Sequence, residues 1–92
     1  MHNPVIEITK HFKKRFYQRQ ARTKRVQDFA RDAYLYGEDV SDLDYKVYAK
    51  KLNHKERAYG TYAKIYHGFV YWFKGNVAIT IYPIPQKVHK KI

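Results

Sequence analysis

Tyr62-Ala63-Lys64-Ile65-Tyr66, His67-Gly68, Phe69-Val70-Tyr71-Trp72-Phe73, Lys74-Gly75-Asn76 and Val77-Ala78-Ile79-Thr80-Ile81-Tyr82 follow one another without a break. Three runs rich in aromatic and β-branched residues, separated by short turn signals, read as an antiparallel three-stranded meander. Pro83 and Pro85 end the third run, because proline has no N–H to give to a ladder. Val77, Ile79 and Ile81 alternate with Ala78, Thr80 and Tyr82, the pattern of a strand buried on one side. Such a meander is not stable alone, so the residues before it must cover a face.

Upstream the period lengthens to that of a helix. Val5-Ile6-Glu7-Ile8 reads as an extended lead-in, and Thr9 caps a helix running to about Gln20, with Phe12 and Phe16 on its buried side. Thr23 caps a second helix through Val26, Phe29, Ala30, Ala33 and Tyr36, and Gly37 is expected to stop it in the left-handed conformation. Ser41 or Asp39 opens a third helix to about Leu52, with Leu43, Val47, Tyr48 and Leu52 inward and Asn53 closing it. The fold expected is α+β: two to three N-terminal helices packed on one face of a C-terminal three-stranded antiparallel meander. A single domain is expected over residues 1–92, helical over about 9–53, a meander over about 61–83 and a basic tail over 86–92.

Charge narrows the classes of partner. Nineteen Lys and Arg oppose eight Asp and Glu, a formal charge of +11 on 92 residues. Eight basic residues and no acid lie between Lys10 and Arg25, whereas six of the eight acids lie between Asp28 and Asp44. Such a field attracts polyanions, and phosphates neutralised by it release counterions, so nucleic acid is the first partner to consider. A solvated face serving solubility is the plain alternative. No uncharged run approaches the roughly 20 residues that span a bilayer, and no membrane partner is expected. Met1-His2-Asn3-Pro4 lacks a basic n-region and an apolar h-region, which predicts no signal peptide. With no cysteine there is no disulfide or thiolate chemistry, and a reducing cytoplasm fits.

Catalytic motifs are sparse. The chain has no Gly-rich phosphate loop and no nucleophile elbow, and its five scattered histidines include no i,i+4 pair, so neither a metal site nor a cofactor is expected. The acids Glu38, Asp39, Asp42 and Asp44 lack the glycine and closing Glu of a calcium loop, and suit a helix N-terminus better.

One constellation stands out. His11 and Arg15 are four apart and share a helix face, with Arg19 one turn on. Histidine exchanges a proton near neutral pH, and arginine holds a phosphate oxygen with two donors. Metal-free RNA cleavage needs both jobs, so His11 and Arg15 are the candidate catalytic pair. Their plain reading is a capping histidine and an arginine stem packed on Phe12 or Phe16. Lys10, Lys14, Arg15, Arg19, Arg22, Lys24 and Arg25 form the candidate nucleic-acid surface. Tyr62 and Tyr66, flanking Lys64 on one strand face, are added to it as an outward strip for stacking bases.

Three segments together, Ile8-Thr9-Lys10-His11-Phe12-Lys13-Lys14-Arg15-Phe16, Lys64 to Phe73 and Ile79-Thr80-Ile81-Tyr82-Pro83-Ile84-Pro85, resemble small, largely uncharacterised proteins of Firmicutes phages and prophages. Those carry an "[IV]-[ST]-K-H-x3-R" opening, an "I-Y-x-G-x-[VA]-Y-x-F" hairpin and an "[LV]-[IV]-T-[VI]-x-x-[LI]-P" close. His11 and Arg15 fall on the opening motif, and Tyr66 and Gly68 on the hairpin. Phe12 and Phe16 are bulkier than the family's residues, and His67 stands where glycine is usual. More distantly, the order of elements is similar to the barnase/RelE-like fold of toxin ribonucleases.

The resemblance implies a phage RNA-directed or anti-host role in the cytoplasm of the host bacterium. The leading expectation is a small basic RNA-binding protein, extending to a metal-independent endoribonuclease. The alternative is a non-enzymatic, anti-CRISPR-like effector that binds a host protein or nucleoprotein defence complex. A DNA-binding regulator comes third, because Asp28 and Asp32 lie where a recognition helix would meet DNA.

Overall fold

The three long strands form where the period-2 pattern puts them. In the structure, a computed structural model describing residues 5–19, 25–40, 42–52, 56 and 60–84, the chain runs β1 (Glu7–Ile8), α1 (Lys10–Arg19), α2 (Val26–Tyr36), β2 (Glu38–Asp39), α3 (Asp42–Ala49), β3 (Thr61–Tyr66), β4 (Phe69–Lys74) and β5 (Val77–Pro83). The hairpin between β3 and β4 turns through His67 and Gly68, both at positive φ (50° and 81°), as a tight two-residue turn matched to strand twist requires.

The class is α+β, but the sheet is larger than the expected meander. It has five strands in the order β1-β5-β4-β3-β2, with β1 parallel to β5 and the other pairs antiparallel. β1 lies within the extended lead-in expected over Val5 to Ile8, with nothing there to show that it joins the sheet. Glu38-Asp39 has low strand propensity and is too short to show a period, so β2 carries no sequence signal. Asp39 therefore lies in a strand, opposite Lys64, rather than capping α3.

The helices occupy both faces, not one. Side chains alternate along a strand, so Tyr71 and Phe73 face one way and Val70 and Trp72 the other. Tyr71 and Phe73 join Phe12 and Phe16 of α1 and Val26, Ala30 and Ala33 of α2 in one buried cluster. Val70 and Trp72 join Tyr48 and Leu52 from α3 and its C-terminal turn in a second. Both faces of β4 are thus apolar because both are covered, and a run such as Phe-Val-Tyr-Trp-Phe is what a strand buried on two sides should show. Val47, expected inward, is 37% exposed.

Alternation in β5 is interrupted. Trp72 pairs with Thr80 and Phe73 with Ala78, leaving Ile79 as the extra residue of a bulge. Ala78 and Ile81, three apart, consequently sit on the α1/α2 face, while Ile79 and Tyr82 sit on the α3 face.

The ends of the helices have separate causes. Thr9 caps α1 as expected: its Oγ1 accepts from the Phe12 N–H at 3.0 Å and donates to the Ile79 carbonyl at 3.1 Å. Gly37 ends α2 in an extended conformation (φ −66°, ψ 155°), not a left-handed one. Glycine is needed there for room, since a Cβ would lie 2.4 Å from the Ala33 carbonyl oxygen. The expectations for Thr23, Ser41, Asn53 and the basic tail lie outside the described residues.

Candidate nucleic-acid interface

β1 pairs with only Val77 and Ala78, after which the chain leaves the sheet at Thr9 and becomes α1. Beyond Ala78 no described strand continues β1 on that side of β5. A small cleft opens there, lined by His11, Arg15 and Arg19 of α1, Lys51 and Glu56 from the segment after α3, and Thr80, Ile81 and Tyr82 of β5. It lies at the seam between the two helical layers. Each successive helical residue turns about 100°. Phe12 and Phe16 therefore point into the core, and His11, Arg15 and Arg19 form the adjoining stripe. Lys10 and Lys14, both exposed, occupy the next arc.

Four basic side chains thus surround one acid. His11 Nε2 lies 2.8 Å from Glu56 Oε2, a close contact without the alignment of a hydrogen bond. The Glu56 side chain is 12% exposed and that of His11 39%. The contact ties α1 to the segment leading into β3, while Arg15, Arg19 and Lys51 leave the cleft net positive.

Tyr82 closes the floor of the cleft without offering it an acid. Its hydroxyl accepts from Trp72 Nε1 at 2.9 Å and donates to the Tyr48 carbonyl. Burial pushes its pKa up to about 12; the hydrogen bond from Trp72 acts against this, and the Tyr48 and Glu56 charges act with it.

The structure brings together His11, Arg15 and Arg19, with Lys10 and Lys14 on the adjoining arc of α1, and places Arg25, Tyr62, Lys64 and Tyr66 elsewhere. Arg25 lies at the start of α2 with Nε 3.3 Å from Asp28 Oδ2. Arg22 and Lys24 lie outside the described residues. Tyr62, Lys64 and Tyr66 do share a face of β3, but that face is turned toward the α1/α2 core, so the expected outward strip is corrected. Tyr62 stacks on Phe73 with ring centroids 5.6 Å apart and donates to the Gly75 carbonyl at 2.6 Å. Burial first, and Tyr34 and Asp39 after it, push its pKa up to about 12. Tyr66 packs edge-on against Tyr71. Lys64 lies 3.5 Å from Asp39 and over the Tyr34 ring. All three serve the sheet.

Lys51, Glu56 and Thr80 escaped the sequence reading. Glu56 had a signal: it is the only acid beyond Asp44, set between Lys55 and Arg57. Among the described residues no cluster of three or more His, Asp or Glu could hold a metal ion, and no helix is long and apolar enough to cross a membrane. No family model, curated protein or solved structure matches the chain.

Proposed function

We propose that this protein binds RNA along the exposed stripe of α1 and holds one backbone phosphate in the cleft beside β5. A single observation carries the reading: His11, Arg15 and Arg19, one helical turn apart, line one cleft with Lys51, a cation from a different part of the chain. Arginines fork onto phosphate oxygens, and cations converging from two elements favour an anion between them. Lys10 and Lys14 extend the contact along the backbone of a bound strand.

Fluorescence anisotropy with single-stranded RNA, double-stranded RNA and duplex DNA at two salt concentrations tests this. Wild type should bind RNA with strong salt dependence. Arg15→Ala and Arg19→Ala should each weaken single-stranded RNA binding about tenfold and together reduce the salt slope by about 0.7, the share of the one phosphate they hold. Indifference to RNA and DNA at low ionic strength overturns the reading and favours a protein target.

The His11–Glu56 contact supports a second reading, metal-independent cleavage. In-line displacement puts the entering and leaving oxygens on opposite sides of phosphorus. Groups 2.8 Å apart act on one side only, so the pair is one proton-exchange unit. It would take the 2′-hydroxyl proton as the 2′-oxygen–phosphorus bond forms. Water would protonate the departing 5′-oxygen as its bond to phosphorus breaks. RNA shortened in EDTA by wild type, and left intact by His11→Ala at saturating binding, is the outcome this reading requires.

A further inference from the structure

A carboxylate in a phosphate cleft needs an explanation. Glu56 lines the same cleft as Arg15, Arg19 and Lys51, with only a small part of its side chain open to solvent. Two negative charges a few ångströms apart repel, and more strongly where the surroundings exclude water. A site selected for phosphate alone would be better without this acid. The acid fits if the ligand brings a hydrogen-bond donor next to its phosphate.

An ionised carboxylate is acceptor-only, with about four lone-pair sites on its two oxygens, so it can accept from more than one donor at once. In a nucleic-acid backbone the donor adjoining the 3′-phosphate is the ribose 2′-hydroxyl, which DNA lacks. We infer that Glu56 is a specificity-determining residue that accepts a hydrogen bond from the 2′-hydroxyl beside the phosphate held by Arg15 and Arg19, so that the cleft selects RNA over DNA. The inference rests on the proposed RNA-binding reading and adds to it the sugar.

Positions are consistent with this division of labour. Arg15 and Arg19 approach from α1, and Glu56 enters from the segment between α3 and β3. A sugar and its phosphate can therefore be met by different elements at once. His11 lies 2.8 Å from Glu56 and holds the carboxylate in the cleft. Without a ligand donor the acid opposes the nearby phosphate; with one it contributes a charge-assisted hydrogen bond. The same residue thus penalises DNA and rewards RNA, and discrimination needs both halves.

The experiment compares three single-stranded oligonucleotides of one sequence, as RNA, as DNA and as 2′-O-methyl RNA, by anisotropy on wild type, Glu56→Gln and Glu56→Ala. Wild type should prefer RNA to DNA and to 2′-O-methyl RNA by about tenfold, the scale of one hydrogen bond to a charged group. Both variants should bind DNA more tightly than wild type does, because the repelling charge is gone. Glu56→Ala should lose the preference, and Glu56→Gln, which keeps shape and an acceptor oxygen, should keep a fraction of it. Circular dichroism confirms that the variants fold; should Glu56→Ala fail, Glu56→Gln alone decides through its affinity for DNA. Equal binding of all three oligonucleotides by wild type, or an undiminished preference in the folded variants, overturns the role of Glu56 while leaving RNA binding intact. Failure of wild type to bind any of the three removes the RNA-binding reading itself.

Discussion

The two faces of the sheet are closed by different physics. On one, α1 and α2 are held by aromatic packing: Phe12 lies 6.1 Å from Phe16 and 6.0 Å from Tyr71, and Phe16 lies 5.4 Å from Phe29. On the other, α3 is held by Tyr45 set edge-on to Trp72 at 5.3 Å and by the chain of hydrogen bonds from Trp72 through Tyr82 to the Tyr48 carbonyl. The aromatic packing of the α1/α2 face lets α1 turn an entire polar stripe outward without weakening its hold, since Phe12 and Phe16 suffice as anchors. The α3 face, apolar as well, adds buried hydrogen bonds that fix α3 and the turn after it in one place, as directional bonds do. The cleft lies where the faces meet, with His11, Arg15 and Arg19 on the first and Lys51 and the acid tethered near the second. Firm attachment on both sides of β5 is what keeps the opposing groups at a fixed separation.

Breaking the α1/α2 face should have the largest effect. Phe16 is fully buried, and Phe16→Ala should cost about 3–5 kcal/mol in urea denaturation through lost burial and a residual cavity. If α1 is held by packing, Phe16→Leu should recover most of that. A small loss in the alanine variant would show that the face is held by something other than its rings.

On the α3 face the loss expected from removing a hydrogen bond is smaller and of a different kind. Tyr82→Phe keeps the ring but removes the acceptor for Trp72 Nε1 and the donor to Tyr48, and should cost about 1–3 kcal/mol. Alkaline titration sharpens the contrast. Because burial raises the Tyr82 pKa from 10.0 to about 12, its contribution is fully present below the unfolded value. It falls away as pH rises through the folded one, since there the unfolded chain binds fewer protons than the native protein. Denaturation midpoints should therefore drop between about pH 10 and about pH 12. They should drop less steeply in Tyr82→Phe, with Tyr62, also raised to about 12, supplying what remains.

How much of this was legible in the sequence follows from how local each cause is. The Thr9 cap and the bounds of the long strands depend on neighbours a few residues away, and both were readable. Which face α3 covers was not, because Tyr48 and Leu52 mark a buried side without saying against what. The bulge at Ile79 is a property of two strands together, and it alone puts Ala78 and Ile81 on one face. Gly37 is legible as a helix end, but its constraint is the Ala33 carbonyl and the adjoining strand β3 rather than φ, which only the tertiary structure shows. At the cleft, the His11/Arg15/Arg19 stripe was visible as helical spacing. Lys51 and Glu56 reach it through tertiary structure, and only the isolation of Glu56 among basic residues hinted at a role.

Thr9 joins the two questions of stability and site, and its effect should be the smallest. Thr9→Ala removes both the cap on Phe12 and the bond to the Ile79 carbonyl, and should cost about 1 kcal/mol, within the usual range for a lost N-cap. Thr9→Ser keeps the hydroxyl and should cost a few tenths. The loss is local to the first turn of α1, which carries Lys10 and His11, so its consequence is not confined to stability. Loosening that turn lets His11 leave Glu56 while Arg15 and Arg19, farther along, stay in place. RNA affinity should then fall less than in Arg15→Ala, but the preference for RNA over DNA should shrink, because the carboxylate has lost the partner that holds it in the cleft. A Thr9→Ala protein with undiminished sugar preference would show that Glu56 is positioned from its own segment, and that α1 contributes only charge.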